Sequence, residues 1–175
     1  MKFSSTLLSL ALALSATATP TPVRRDLASI QSAIANIATA VNTLDAAEKA
    51  YTGGDTTTLQ TDSDAVVSAT DAGTAAANAS GALSDLDAIE LVSPIQSLTT
   101  DVQNAINDII AIKSAVVAAG SQAQTLSDLI QQNTSATALA VAITAKVPTV
   151  LQSTAASLAA GITNAIQEGI TAYSS

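Results

Sequence analysis

The stretch SPIQSLTTDVQNAINDIIAIKSAVVAAG, Ser93 to Gly120, carries the strongest helix signal in the chain. Ser93 can cap a helix whose first position is Pro94, where the missing N–H costs nothing, and Gly120 supplies a left-handed residue to stop it. Between them Ile95, Leu98, Val102, Ala105, Ile109, Ile112 and Val116 recur at alternating steps of three and four, which puts them on one face. Ile106, Ile110, Lys113 and Val117 fall beside that seam. The apolar stripe is therefore wider than a two-stranded coiled coil needs. A helix of this kind requires apolar partners, or a ligand, on more than one side.

Upstream, Leu27, Ile30, Ile34, Ile37, Val41, Leu44, Glu48 and Tyr51 form a second seam, interrupted only by the carboxylate of Glu48, and Gly53-Gly54-Asp55 ends it. About 25 residues at 1.5 Å each make a rod of roughly 38 Å, the length of a bundle helix. The segment from Thr56 to Leu91 is rich in Ala, Ser, Thr and Gly, which allow close approach but bury little area each. Its pattern predicts a helix over 57–79, a bend near Gly81 and a short turn through 83–89. After Gly120, Leu126, Leu129 and Ile130 carry an apolar face to about Gln132, and Leu139, Val141 and Ile143 resume it after Asn133-Thr134-Ser135. Val147-Pro148 ends that element, because proline disfavours helix in the residue before it. A last helix runs from about Pro148 to Tyr173, with Leu151, Ala155, Leu158, Ile162, Ala165, Gly169 and Tyr173 in register and Ile166 and Ile170 beside them. That makes five helices, or six if the fourth splits. No segment alternates with period two for long, so the predicted fold is an all-α antiparallel bundle forming one domain over 26–175.

The totals narrow the function. A chain of 175 residues that is 48% apolar can bury a proper core. Having no Cys and no His, it lacks disulfides, thiolate chemistry and the usual general base and metal ligand. Its formal charge of −8, with the few basic residues scattered, argues against nucleic acid, which requires clustered Lys or Arg.

Met1 to Ala18 read as a secretory signal peptide: Lys2, an apolar run from Leu7 to Leu14, then Ala16-Thr17-Ala18 as the cleavage site. The run is too short to span a bilayer. Residues 19–25 end in the dibasic pair Arg24-Arg25, so a short propeptide cut after Arg25 is expected, with maturation at Asp26. Removing Lys2, Arg24 and Arg25 leaves three lysines against 14 acids, a charge of −11. Asn78-Ala79-Ser80 and Asn133-Thr134-Ser135 are glycosylation sequons. The final residues carry no apolar tail, so no GPI-type anchor is expected. A released, monomeric, extracellular protein is the expectation.

Catalytic readings fare poorly. Lys49, Lys113 and Lys146 coexist with many serines, but each sits near an end or edge of a helical pattern where a solvated or snorkelling side chain is expected, and no Gly-x-Ser-x-Gly elbow exists. Asp62-x-Asp64 and Asp85-x-Asp87-x-x-Glu90 lack the glycine and ligand count of a calcium loop and suit helix faces or first turns. Neither an enzyme, a metal site nor a cofactor is expected.

Aliphatic residues at helical spacing are more often packed core than ligand pocket. Two features move the balance here. An interior almost free of aromatic residues and rich in Ala fills a wide five-helix centre poorly, and Ile106, Ile109, Ile110 and Ile112 exceed what one seam requires. An alkyl chain could occupy the rest, lined by Leu98, Val102, Ile106, Ile109, Ile110 and Val116 of the central helix and Leu158, Ile162 and Ile166 of the last. Burying some fifteen methylenes at about 0.8 kcal/mol each gives roughly 12 kcal/mol gross. A net of about 7 to 9 kcal/mol, near micromolar, remains after ordering costs.

Three features carry a resemblance to a known family: Val23-Arg24-Arg25-Asp26-Leu27 opening a helix that ends in Tyr51-Thr52-Gly53-Gly54; Ala82-Leu83-Ser84-Asp85 ahead of the long apolar helix; and the end from Lys146-Val147-Pro148 through Ala165-Ile166 to Ile170-Thr171-Ala172-Tyr173-Ser174. With them the chain resembles, from Asp26 to Ser175, the fungal hydrophobic surface-binding protein A family, which also contains cell-wall galactomannoproteins. The resemblance implies a secreted or wall-associated, non-enzymatic helical protein that adsorbs to hydrophobic surfaces, recruits a polyester- or cutin-degrading hydrolase there, or holds fatty acids between its helices. Tyr51 stands where a Trp is often expected and Ile166 where a Phe is common. The other reading left open is a structural wall mannoprotein or secreted effector acting through glycans or a protein partner.

Overall fold

Punctuation residues set the helix ends. Gly120, at φ +74°, closes a Schellman motif in which its own N–H reaches the Val117 carbonyl at 2.9 Å and the Ser121 N–H reaches that of Val116 at 3.1 Å. Gly53 and Gly54 also take positive φ, and the Tyr51 hydroxyl donates to the Gly54 carbonyl at 3.0 Å to close that turn. The computed structural model describes residues 22–175. Within them lie α1 (Pro22–Ala50), α2 (Thr57–Ala79), α3 (Asp85–Glu90), α4 (Val92–Ala111), α5 (Lys113–Ala118), α6 (Gln122–Thr144), a 3-10 turn (Thr149–Leu151) and α7 (Gln152–Tyr173). Five of these helices are long, and together they form a single all-α bundle.

Local chemistry departs from the expected pattern at three places. Ser93 does not cap α4. The true capping box is one element earlier, where Ser84 Oγ accepts from the Asp87 N–H while the Asp87 carboxylate accepts from the Ser84 N–H. Short α3 then delivers the chain through Leu91, already in a right-handed helical conformation, so α4 starts at Val92 and Pro94 lies inside its first turn. The central apolar helix is also not one rod: it breaks at Ile112, where Tyr173 of α7 donates its hydroxyl to the Ile109 carbonyl at 2.8 Å. Conversely, α6 runs unbroken through Asn133-Thr134-Ser135, where Thr134 and Thr137 turn their hydroxyls back onto carbonyls one turn earlier, at 2.9 and 2.8 Å, without interrupting the helix.

Packing arranges the long helices in a ring. α1 contacts α2 and α4, α2 also contacts α6, α6 also contacts α7, and α7 also contacts α4. The circuit α1–α2–α6–α7–α4 closes on itself. Five cylinders about 10 Å across, side chains included, leave an axial gap about 7 Å wide when set in a ring. A four-helix bundle would leave much less. Small residues draw the wall in where they occur: a Cβ added at Gly169 would lie 3.2 Å from Ile106 Cδ1 and 3.3 Å from Leu129 Cδ2, so α7 sits close against both neighbours there.

Two lysines fasten helix ends. Lys146 Nζ donates to the carbonyls of Asn78 and Ser80, at 3.0 and 2.6 Å, and closes the C-terminus of α2 from the far side of the chain. Lys113 Nζ does the same for α7 through the Ala172 carbonyl at 2.6 Å. A cation at a helix C-terminus satisfies orphan carbonyls and complements the dipole. Lys146→Met is therefore expected to lower the free energy of unfolding by about 1–2 kcal/mol, which urea titration would measure; an unchanged midpoint would show that water replaces both bonds at no cost.

Candidate functional site

The ring encloses a narrow axial cavity of about 100 Å³. Every long helix contributes to its wall: Ile34, Ile37, Val41 and Leu44 from α1, Leu59 and Val66 from α2, Leu98, Val102, Ala105, Ile106 and Ile109 from α4, Leu129, Leu139 and Ile143 from α6, Ala159, Ile162 and Ile166 from α7. From Ile34 to Glu48 along α1 the wall extends about 21 Å. The lining is mostly aliphatic, and among the described residues no Lys or Arg enters it. An engineered 150 Å³ apolar cavity takes a benzene, so an alkyl chain of any length must push side chains aside to enter. Small side chains on α2, α6 and α7 make that inexpensive.

Of the residues nominated from sequence, Leu98, Val102, Ile106, Ile109, Ile162 and Ile166 share this wall. Ile110, Val116 and Leu158 do not. Val116 is fully buried, but the break at Ile112 ends the register that would have carried it into the cavity; Ile110 and Leu158 are half-buried beside the seam. Sequence reasoning nominated no wall residue from α1, α2 or α6, because a helical period reveals which face is apolar but not which faces meet. Asn78 is exposed in the last turn of α2, whereas Asn133 is half-buried in the middle of α6 with its Oδ1 buried and unbonded. Arg25 is exposed on α1; Ala18 lies outside the described residues.

Polar residues also reach the wall, and Glu48, Thr56, Ser63, Thr70 and Gln132 among them are buried. Gln132 Nε2 of α6 donates to Ser63 Oγ of α2 at 2.8 Å, a bond that ties two neighbours across the cavity lining. Asp128 is raised from the ordinary carboxylate range by burial, opposed by a hydrogen bond from Gln124 and assisted by Asp64.

Glu48 differs in kind. Only 2% of it is exposed, it lines the cavity, and its Oε2 is buried with no hydrogen-bond partner. Burial, then the nearby carboxylates Asp45 and Asp108, push it up to about 9; Lys49 pulls the other way. That lysine is more than half exposed and bonds to Asp45 and, at 3.4 Å, to Asp108, so it faces outward from the cavity. Glu48 is thus a neutral carboxylic acid at pH 7. Tyr173, 1% exposed, is raised by burial, by Glu48 and by Tyr51, and remains a donor to Ile109.

A surface groove between α6 and α7 lies directly outside the cavity. Ala140, Thr144 and Ala159 line both, so one layer of small side chains separates them. Val141, 66% exposed, sits in the same groove. No helix among the described residues is long and apolar enough to cross a membrane.

Comparison with known proteins gives three kinds of match. A family model described as hydrophobic surface binding protein A matches residues 27–145. Cell wall mannoprotein 1 of Aspergillus fumigatus is 42% identical over 173 residues, 99% of this chain and 60% of that protein; the chain spans little more than half the length of the curated Aspergillus relatives it matches. Among solved structures, ligand binding domain 1 of the Penicillium marneffei MP1 protein complexed with arachidonic acids superposes with a TM-score of 0.83 at 30% identity, covering 85% of this chain and 99% of that one. AFMP4P in complex with palmitic acid superposes with a TM-score of 0.79 at 29% identity, covering 84% and 99%.

Proposed function

This chain belongs to the hydrophobic surface binding protein A family, and from that premise we propose that it is a secreted, non-enzymatic carrier that holds one long aliphatic ligand of the fatty-acid class along the axis of its helical ring. The axial cavity carries the reading: an aliphatic wall contributed by every long helix, about 21 Å long, has the shape and chemistry of an acyl chain. Relatives of the same fold are complexed with arachidonic and palmitic acids, which supports the ligand class. The leader expected at 1–18 and the kinship with cell wall mannoproteins support an extracellular or wall location.

Surface binding uses the same architecture. The α6–α7 groove, with Val141 exposed in it and only Ala140, Thr144 and Ala159 behind it, is where an apolar surface would meet the bundle and where a lipid would enter. Contact there requires no unfolding, because spreading one seam exposes the cavity wall. Asn78, exposed at the end of α2, is the better placed of the two glycan acceptors.

Native mass spectrometry of the secreted protein, with organic extraction of what it releases, tests the carrier reading. The expected spectrum shows one equivalent of a long-chain lipid, or takes one up on incubation with palmitate, together with a glycan mass that peptide mapping assigns to Asn78. An apo mass that stays empty through that incubation would overturn the carrier function and leave adsorption alone.

A further inference from the structure

We propose that Glu48 is the hydrogen-bonding terminus of the axial cavity: it receives the O–H-bearing end of an aliphatic ligand, a long-chain alcohol or a fatty acid in its protonated form, and excludes a carboxylate. The proposal rests on the reading that the axis holds an alkyl chain, and it names the chemistry of the end that goes in first.

The geometry places a carboxyl group without a protein partner at the end of an apolar seam. A seam of Ile30, Ile34, Ile37, Val41 and Leu44 leads along α1 to a carboxyl group that is 2% exposed and whose Oε2 has no partner. An unbonded buried acceptor is costly, and a native structure that keeps one has a use for it or fills it. A neutral carboxyl group offers one donor and one acceptor, and a hydroxyl offers the same pair, so the two groups satisfy each other with reciprocal bonds. A methyl terminus at the same place would leave Oε2 orphaned.

Charge decides against a carboxylate. The groups around Glu48 are Asp45 and Lys49 on α1, Asp108 on α4 and Tyr173 on α7, with Tyr51 at the end of α1 acting on Tyr173. Asp128 of α6 stands on the same cavity wall, and the start of α2 brings to it only uncharged residues, Thr56 just before the helix and Leu59 and Gln60 within it. The one cation in this set, Lys49, is bonded to Asp45 and Asp108 and turned outward. An anionic head group brought to Glu48 would meet carboxyl groups against the single positive charge of Lys49, which Asp45 and Asp108 already offset, in a site that water does not screen. Because Glu48 keeps its proton up to about pH 9, the site presents a neutral donor throughout the acid to neutral range.

Two probes of equal chain length, lauryl alcohol and laurate, separate the possibilities by calorimetry at pH 5 and pH 8 on the wild type, Glu48→Gln and Glu48→Leu, each checked for helicity by circular dichroism. The wild type is expected to bind the alcohol with the same affinity at both pH values and at least tenfold more tightly than laurate at pH 8. Laurate should gain on moving to pH 5 as its protonated fraction rises, which marks the protonated acid as the second source of the same O–H chemistry. Glu48→Gln, which still donates and accepts, should keep the preference for alcohol; Glu48→Leu should lose at least tenfold in alcohol affinity and lose none for laurate. Equal binding of both probes at pH 8, with a ratio unmoved by Glu48→Leu, would overturn the proposal while leaving the carrier reading intact. Binding of neither probe by any variant would overturn both.

Discussion

Glu48→Gln is expected to raise the free energy of unfolding by about 3 kcal/mol at pH 7 and to change it little at pH 4. The native state holds the Glu48 proton up to about pH 9, whereas the unfolded chain releases it near the ordinary glutamate value of 4.5. Between those values the native state binds one more proton than the unfolded state, so each unit of rising pH removes about 1.4 kcal/mol of stability. Below 4.5 both states are protonated and the penalty vanishes; above 9 both are ionised and it stops growing. Pure linkage over the 2.5 units from 4.5 to 7 therefore amounts to roughly 3 kcal/mol. Gln cannot ionise and escapes it. Guanidinium titrations of wild type and variant at several pH values would measure this, since the difference between the two curves cancels every other carboxylate. Parallel curves from pH 4 to pH 8 would mean that Glu48 ionises freely in the folded protein. A natural sequence that keeps an acid at such a cost, where Gln has the same shape, points to a role for the carboxyl group itself.

Ala105→Phe should abolish lipid binding without unfolding the bundle. Ala105 is 5% exposed on α4 and lines the cavity, so a phenyl ring there projects into the axis. The void of about 100 Å³ absorbs most of its volume, which limits the overpacking penalty to about 1–2 kcal/mol. An alkyl chain stopped halfway loses some seven buried methylenes, about 6 kcal/mol gross at about 0.8 kcal/mol each. Affinity for palmitate should fall at least a hundredfold, as read by displacement of a fluorescent fatty acid, with the melting temperature of the apo protein shifted by only a few degrees. Retained affinity would place the ligand outside the ring, in the α6–α7 groove.

The helices were legible because their ends are written in local chemistry. The prediction of 57–79 for α2 matches its bounds, since Gly53-Gly54-Asp55 before it and Ser80-Gly81 after it are turn residues whose preferences do not depend on the rest of the fold. The break at Ile112 was not legible, because the contact beside it, the Tyr173 hydroxyl on the Ile109 carbonyl, joins residues 64 apart in sequence. Ser93-Pro94 misled for a related reason: as a pair they read as a helix start, but a helical turn already capped at Ser84 feeds α4 from behind. The cavity was half legible. Its α4 and α7 walls followed from the wide stripe, while α1, α2 and α6 were missed because ring order is set by tertiary packing. Glu48 stood in the sequence as the one interruption of the α1 seam, and that interruption is the polar end of the site.

Ring order also governs timing. Among the described residues α7 is the helix that bridges α4 and α6, so the wall stays open along a whole side until the last long helix of the domain has been made. A chain still emerging from the ribosome can pair α1 with α2 and dock α4 and α6, but it presents a trough rather than a tunnel. Cargo can be enclosed only once synthesis of the domain is complete. What the ring encloses is thus settled only after α7 has docked between α4 and α6.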